Sequence, residues 1–287
     1  MPQHPFRNIN AMHPRVVSFP TPLPLAVVPD TPRAMTLTHD PEFRVALAHG
    51  EADLRAAQAL RYDVFVRELG GGGALVDHEQ GLEQDRYDPF FDHLLLHDDA
   101  VGQVVGVYRM LRAERATHAG QFYSEDEYDL SPLRRTGRRL LELGRSCVRP
   151  AYRGGAAMYH LWNGLADYVA RHEVEIMFGV ASFHGTDVQA LAQPLSLLHH
   201  RHLAPEHLRV TARAPHGADM NLIAPDQIAR RAAMVQIPAL IKAYLRLGGV
   251  VGSGAYVDHA FNTTDVCLIM DTDAMSARQK RIYGAAP

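Results

Sequence analysis

Cysteine is scarce. Cys147 and Cys267 are the only two in 287 residues, too few for a disulfide framework. Both stand in apolar, strand-like surroundings, as small buried hydrophobes of a reducing compartment do. Also missing is any run of the ~18 uncharged apolar residues that a bilayer span requires. The most apolar late stretch, Ile237 to Val257, is broken by Lys242 and Arg246. The formal net charge is -3, so no basic excess points to nucleic acid. No basic start leads into an apolar core, so no cleaved secretion signal is expected. Internal repeats are absent. What remains is a cytoplasmic protein, with peripheral contact at the inner membrane left open. Its 47% hydrophobic content suffices for one substantial core or two modest ones.

Proline is plentiful at the start: Pro2, Pro5, Pro14, Pro20, Pro22, Pro24, Pro29 and Pro32 predict an extended or disordered arm over residues 1–40. From Phe43 onward the pattern is regular. Phe43, Val45 and Leu47 alternate as a half-buried strand does. Leu54, Ala57, Leu60, Val64 and Phe65 follow at helical spacing, with Arg61, Phe65 and Glu68 on neighbouring parts of one face. Gly70 to Gly73 should form a mobile loop. Strands are expected at Leu94–His97, Val104–Leu111, Val174–Phe183, Leu208–Ala212, Ala255–Val257 and Asp265–Met270. Helices are expected at 155–172, 188–198 and 238–247. Alternating strands and helices over residues 41–287 indicate one layered α/β (α+β) domain. It carries a polar insertion at about 113–139.

The stretch Leu140 to Ala157 organises the rest. Leu140, Leu141, Leu143, Cys147 and Val148 make a buried strand ending at Pro150. Arg153, Gly154 and Gly155 then turn into a helix, whose first backbone N–H groups can face an anion. A carboxylate within that apolar strand is costly unless paired or used. Glu142 is therefore either ion-paired, for example with Arg145, or a general base beside a phosphate-binding turn. Period-two alternation puts Glu142 and Arg145 on opposite faces. For both to line one cleft the strand must bulge, and Gly144 is the expected pivot.

Other clusters admit two readings. Asp85 to His93 is either turn chemistry or a cation site at Asp85 and Asp88. Arg134, Arg135, Arg138 and Arg139 are either a solvated face or a docking surface for an acidic carrier protein. The run His199, His200, Arg201 and His202 lacks the spacing of a zinc motif, so no metal is expected.

Several blocks together resemble a known family. They are Arg61 to Phe65, Asp88 to His93, Val105 to Arg109, Phe122 to Ser124, Leu141 to Val148 and Gly179 to Gly185. Ile241 to Gly248, Asp258, and Phe261 to Cys267 complete them. From about Arg44 to Met270 the chain resembles the bacterial L-ornithine N-alpha-acyltransferases, acyl-carrier-dependent enzymes of ornithine-lipid synthesis. The resemblance implies an N-acetyltransferase-like fold: a mixed, mostly antiparallel central sheet flanked by helices, with a C-terminal helix-strand extension. The acyl-homoserine-lactone synthases are similar. Their Arg-x-x-x-Phe helix, Asp-x-x-Asp turn, strand Arg and Glu-x-x-Arg strand correspond here to Arg61 and Phe65, Asp85 and Asp88, Arg109, and Glu142 and Arg145. One departure concerns the pyrophosphate loop, where Ala156, Ala157 and Met158 follow Arg153-Gly154-Gly155. That suits a carrier protein's single phosphopantetheine phosphate better than coenzyme A.

The implied reaction is attack of an amino acid's α-amine on an acyl thioester. No tightly bound cofactor is implied; acyl-phosphopantetheine arrives on acyl carrier protein. Glu142 would serve as base and Arg109 would hold the α-carboxylate. Asp85 and Asp88 would hold a side-chain ammonium, and Ser182 and Phe183 would border the pantetheine and acyl groove. The competing expectations are the same chemistry on glutamine or glycine, an autoinducer synthase, and a noncatalytic acyl-chain or membrane-binding protein.

Overall fold

The computed structural model describes residues 37–153 and 156–275. Most of the proline-rich arm lies outside these residues. Its last part does not continue as a tail: Leu37 packs on the core, and His39 Nε2 meets Asp98 Oδ2 at 2.6 Å.

Strand β1 (Phe43–Leu47) leads into helix α1 (Gly50–Arg61), which runs on as a wider π-helical stretch, Tyr62–Glu68. Strands β2 (Asp92–Asp98) and β3 (Gln103–Arg112) pair as a hairpin. The insertion comprises α2 (Ala113–Ala119), a 3-10 turn at Tyr123–Asp126, β4 (Tyr128–Asp129) and α3 (Ser131–Arg135). Next come β5 (Leu140–Val148), α4 (Ala157–Arg171), β6 (Ile176–His184) and α5 (Ala192–His202). The later elements are β7 (Thr211–Ala212), β8 (Gly217–Ala218), α6 (Arg230–Gln236) and α7 (Ala239–Arg246). Strands β9 (Val250–Val251), β10 (Ala255–Asp258) and β11 (Thr263–Asp271) close the chain's sheet.

The central sheet has the order β1-β2-β3-β5-β6-β11-β10-β8, with β9 also paired to β11. Every pairing is antiparallel except β5 with β6, which run parallel. Helix α4 buries Leu161, Leu165 and Tyr168 against one face of the sheet. Helix α1 covers the other face with Ala57 and Leu60, against Leu95, Val107 and Cys147. The 113–139 insertion is not the polar excursion its composition suggests. Phe122, Tyr128, Leu130 and Leu133 are fully buried there and pack under Leu111, Leu140, Phe178 and Ile269.

Between β5 and β6 the sheet parts. Their parallel register holds only for Leu140 with Ile176, Leu141 with Met177 and Glu142 with Phe178. At the next position a Cβ on Gly179 would stand 2.1 Å from the Leu143 carbonyl oxygen, so only glycine lets the strands close up before they diverge. The divergence leaves a cleft in the middle of the sheet, and the chemistry gathers there.

Candidate active site

The cleft encloses about 400 Å³, with Phe65, Tyr123, Glu142, Arg145, Ser182 and Phe261 among its walls. A narrow apolar slot of about 40 Å³ adjoins it, lined by Gly179, Leu240, Tyr244, Leu268 and Met270.

Glu142 projects from β5 toward the insertion. It is 1% exposed yet forms part of the cleft wall. Its Oε2 accepts the Tyr123 N–H at 2.8 Å, and its Oε1 accepts the Ser124 N–H at 2.6 Å and hydroxyl at 2.5 Å. These bonds fill most of the four or so acceptor positions of a carboxylate and leave one lone pair on Oε2. Burial pushes the Glu142 carboxyl up to about 7, against the pull of Ser124, Tyr123 and Arg109. A carboxylate balanced near neutrality, with an unfilled lone pair at a cavity wall, can accept a proton. The alternative of a simple Glu142–Arg145 pair is not what the structure contains: Arg145 pairs with Glu83 at 3.1 Å and with Asp85 at 3.8 Å.

The bulge is present in β5. Val107 of β3 faces Cys147 and Arg109 faces Gly144, so Arg145 and Ser146 together oppose Tyr108. The extra residue restores phase and turns both Glu142 and Arg145 to the cleft. The pivot is not Gly144, however. Arg145 itself has φ +49°, while a Cβ at Gly144 would meet nothing within 4 Å. The strained backbone is held by the Arg145 guanidinium. It lies 5.0 Å from the Tyr123 ring centroid and 5.1 Å from that of Phe261, and it donates to the Tyr123 hydroxyl at 3.4 Å.

Behind this wall is a buried ionic network. Arg61, fully buried, pairs with Glu83 and with Asp88 at 2.7 Å. Arg109 donates to Asp85 at 2.7 Å and Asp88 at 2.8 Å, and its Nε has no partner. Burial pushes Glu83 up, but Arg145, Arg61 and Arg109 outweigh it and hold the carboxyl down to about 2. For Asp88 burial is likewise overcome, chiefly by Arg61, and the carboxyl is held well below its usual range.

These positions correct several sequence-based roles. Asp85 and Asp88 are taken up by arginines and lie off the cleft wall, so they are not available to a substrate ammonium. Arg61 is a buried structural partner, whereas Phe65, Arg109 and Ser182 do line the cleft. Phe183 points the other way, into the core. Arg153 forms a two-pronged pair with Glu68 at 2.5 and 2.6 Å; Gly154 and Gly155 lie outside the described residues. Arg134 is clamped by Glu125, Arg138 by Asp271 and Asp273, and Arg139 reaches Glu173 and Glu175, while Arg135 donates to the Ser131 hydroxyl. These four sit before β5 begins, at the end where β5 and β6 remain paired. The cleft opens toward the far end of β5, roughly 30 Å away for nine residues.

Sequence reasoning gave no role to Tyr123, Ser124, Glu127, Asp258 or Asp265. Carboxylate oxygens of the last three lie within 4.8 Å of one another, and all three line the cleft. Among the described residues they are the group of ligand-type side chains close enough to hold one cation. Asp265 carried the same signal as Glu142, a carboxylate at a strand otherwise apolar. Glu127, in the run Glu125-Asp126-Glu127, carries no such signal, since consecutive acidic residues have the composition of a solvated turn.

The geometry is a mixed sheet parted between two parallel strands, with a carboxylate at the fork. The acetyltransferase (GNAT) domain matches residues 60–163, and together with curated relatives that are acyltransferases it marks the chain as an acyltransferase with a GNAT domain. The L-ornithine N(alpha)-acyltransferase of Rhodobacter capsulatus is 59% identical over 246 residues, 84% of this chain and 94% of that one. The enzyme of the same name from Brucella abortus is 42% identical over 250 residues, 85% and 89% of the two chains. The chain belongs to the L-ornithine N(alpha)-acyltransferase family. Among solved structures, the AHL synthase LasI aligns over 84% of this chain and 95% of that one, with a TM-score of 0.45 and 15% identity.

Proposed function

We propose that the protein transfers a fatty acyl group, including 3-hydroxy acyl groups, from the thioester of acyl carrier protein to the α-amine of ornithine, giving a lyso-ornithine lipid. The observation that carries this reading is Glu142, balanced near neutral pH at the fork of β5 and β6. The carrier's acyl-pantetheine arm enters from the open end of β5, and the acyl chain continues toward the apolar slot. The amino acid arrives with its α-amine protonated. It releases one proton to solvent and a second to Glu142 Oε2, directly or through one water, as its nitrogen attacks the thioester carbon. The backbone of the bulge at Gly144 to Ser146 supplies the N–H that meets the developing oxyanion. The C–S bond then breaks, and the proton held by Glu142 passes to the departing sulfur, which leaves as a free thiol. Arg109 and Arg145 are the cations that orient the α-carboxylate.

Thiol release from acyl carrier thioester in the presence of single amino acids tests this. Ornithine should give stoichiometric thiol and lyso-lipid, and Glu142→Gln should lower turnover by about 10²–10⁴ while circular dichroism is unchanged. No thiol release with any amino acid would leave an acyl-binding protein. A Glu142→Gln variant of near-normal activity would remove Glu142 as base.

A further inference from the structure

The second constellation in the cleft has no part in the proton transfer above. Glu127 follows the 3-10 turn of the insertion, Asp258 ends β10, and Asp265 stands on β11 opposite Ser182 of β6. Three elements far apart in sequence thus bring carboxylates together at one wall. Glu127 and Asp265 are 5% and 4% exposed, and one oxygen of each, Glu127 Oε2 and Asp265 Oδ1, is buried without a hydrogen-bond partner. Glu83, Asp85 and Asp88, equally acidic, instead meet arginines. Buried unpaired carboxylate oxygens are costly and mark a place where a donor is missing.

We propose that Glu127, Asp258 and Asp265 form the subsite for the side-chain ammonium of the acceptor, so that the cleft selects a basic amino acid over a neutral one. The inference rests on the acyl-transfer reading of the cleft. An ammonium carries three N–H donors and one positive charge, a match for three converging carboxylates, two of which keep an unused buried acceptor while Asp258 Oδ1 also accepts the Ala260 and Phe261 N–H groups. It also relieves their mutual repulsion. Burial pushes the Asp265 carboxyl up to about 6 and Glu127 well above its ordinary range, and neighbouring acidic charges add to both. A bound cation reverses that balance and lets the carboxylates ionise. The same contact decides which amine reacts. An ammonium held among carboxylates keeps its proton and stays non-nucleophilic, whereas the α-amine lies at Glu142 on the same cavity wall. Glu127 and Asp258 also border an adjoining recess of about 330 Å³ with His216, Tyr256 and His259, a route by which a small amino acid reaches the subsite apart from the acyl arm.

The test compares kcat/KM for L-ornithine and for L-norvaline, which has the same carbon chain but no side-chain amine, with one acyl carrier thioester. Ornithine should be strongly preferred. Glu127→Gln and Asp265→Asn should each cut the ornithine-to-norvaline ratio by about 10–100-fold, the scale of a lost charged hydrogen bond, chiefly through KM for ornithine. An unchanged ratio in both variants overturns the proposal. So does an equal loss on both acceptors, which would mean that the carboxylates hold the reacting amine. Ornithine preference abolished by chelation and restored by a divalent ion would assign the site to a metal and also overturn it. Should either variant fold poorly, the unaltered protein decides: ornithine must raise the unfolding temperature more than norvaline at equal concentration, and equal shifts count against the subsite. Failure of the acyl-transfer reading looks different, with no amide formed from any acceptor.

Discussion

Glu142 is a carboxyl group pulled two ways. Desolvation favours its neutral form; three hydrogen bonds from Ser124 and Tyr123, with the positive charge of Arg109, favour the anion. Desolvation wins by enough to bring the group to about 7. The sign of the consequence is fixed. Below about 7 the carboxyl is protonated and cannot take a proton, so kcat/KM should rise as pH rises through that value. Arg145 shows the complementary case, in which side-chain contacts hold a backbone angle. Its φ of +49° is a conformation that costs a non-glycine residue roughly 1–3 kcal/mol. The guanidinium contacts to Glu83, Tyr123 and Phe261 fix it there. Glycine is the residue expected at such a place and Gly144 stands one residue away, so the bulge is legible in the sequence and its pivot at Arg145 is not.

At the level of elements, period-two and helical patterns made β1, β2, β3, β5, β6 and β11, and helices α1, α4, α5 and α7, legible before any coordinates. Two segments were not. The 113–139 insertion alternates buried and charged residues too irregularly for a period to emerge, because its short helices and turns each contribute a single anchor. Phe122 is one of these, fully buried and edge-on to Phe178 at 5.0 Å. Its neighbour Tyr123 supplies an N–H to Glu142, so core packing and proton chemistry share one turn. Phe122→Ala should therefore destabilise the fold by about 3–5 kcal/mol and lower turnover as well. Denaturant unfolding and steady-state rates check both effects. The Gly70 to Gly73 run is the other. Gly71 donates its N–H to the Phe65 carbonyl at 2.8 Å, and an added Cβ would stand 2.8 Å from Phe261. At that one position glycine serves close approach beside the cleft, which a run of four glycines does not announce.

At the scale of the whole molecule, five buried acidic groups among the described residues fall into two sets with opposite pH behaviour. Glu83 and Asp88 are held below their ordinary values by arginines, so the stability they contribute is complete above about pH 4–5 and disappears as pH falls toward 2. Glu142, Glu127 and Asp265 are held above theirs, so the folded state binds their protons more tightly and loses stability as pH rises toward 7. The unfolding temperature should accordingly be highest in mildly acidic buffer, near pH 5, decline gently toward neutrality and collapse below pH 4; a calorimetric pH series measures it. Distribution of charge also shows what composition hides about the arginines ahead of β5. Arg134, Arg138 and Arg139 look like a free basic patch until the chain folds and Glu125, Asp271 and Glu175 close on them. Among the described residues, no helix is long and apolar enough to cross a membrane.

The sharpest measurement is the pH profile of kcat/KM for ornithine acylation in the unaltered protein and in Ser124→Ala. Removing the hydroxyl takes away the largest of the interactions that favour the Glu142 anion, so the midpoint near pH 7 should move upward while the plateau at high pH survives. A midpoint that stays where it was would show that the proton is taken by some group other than Glu142.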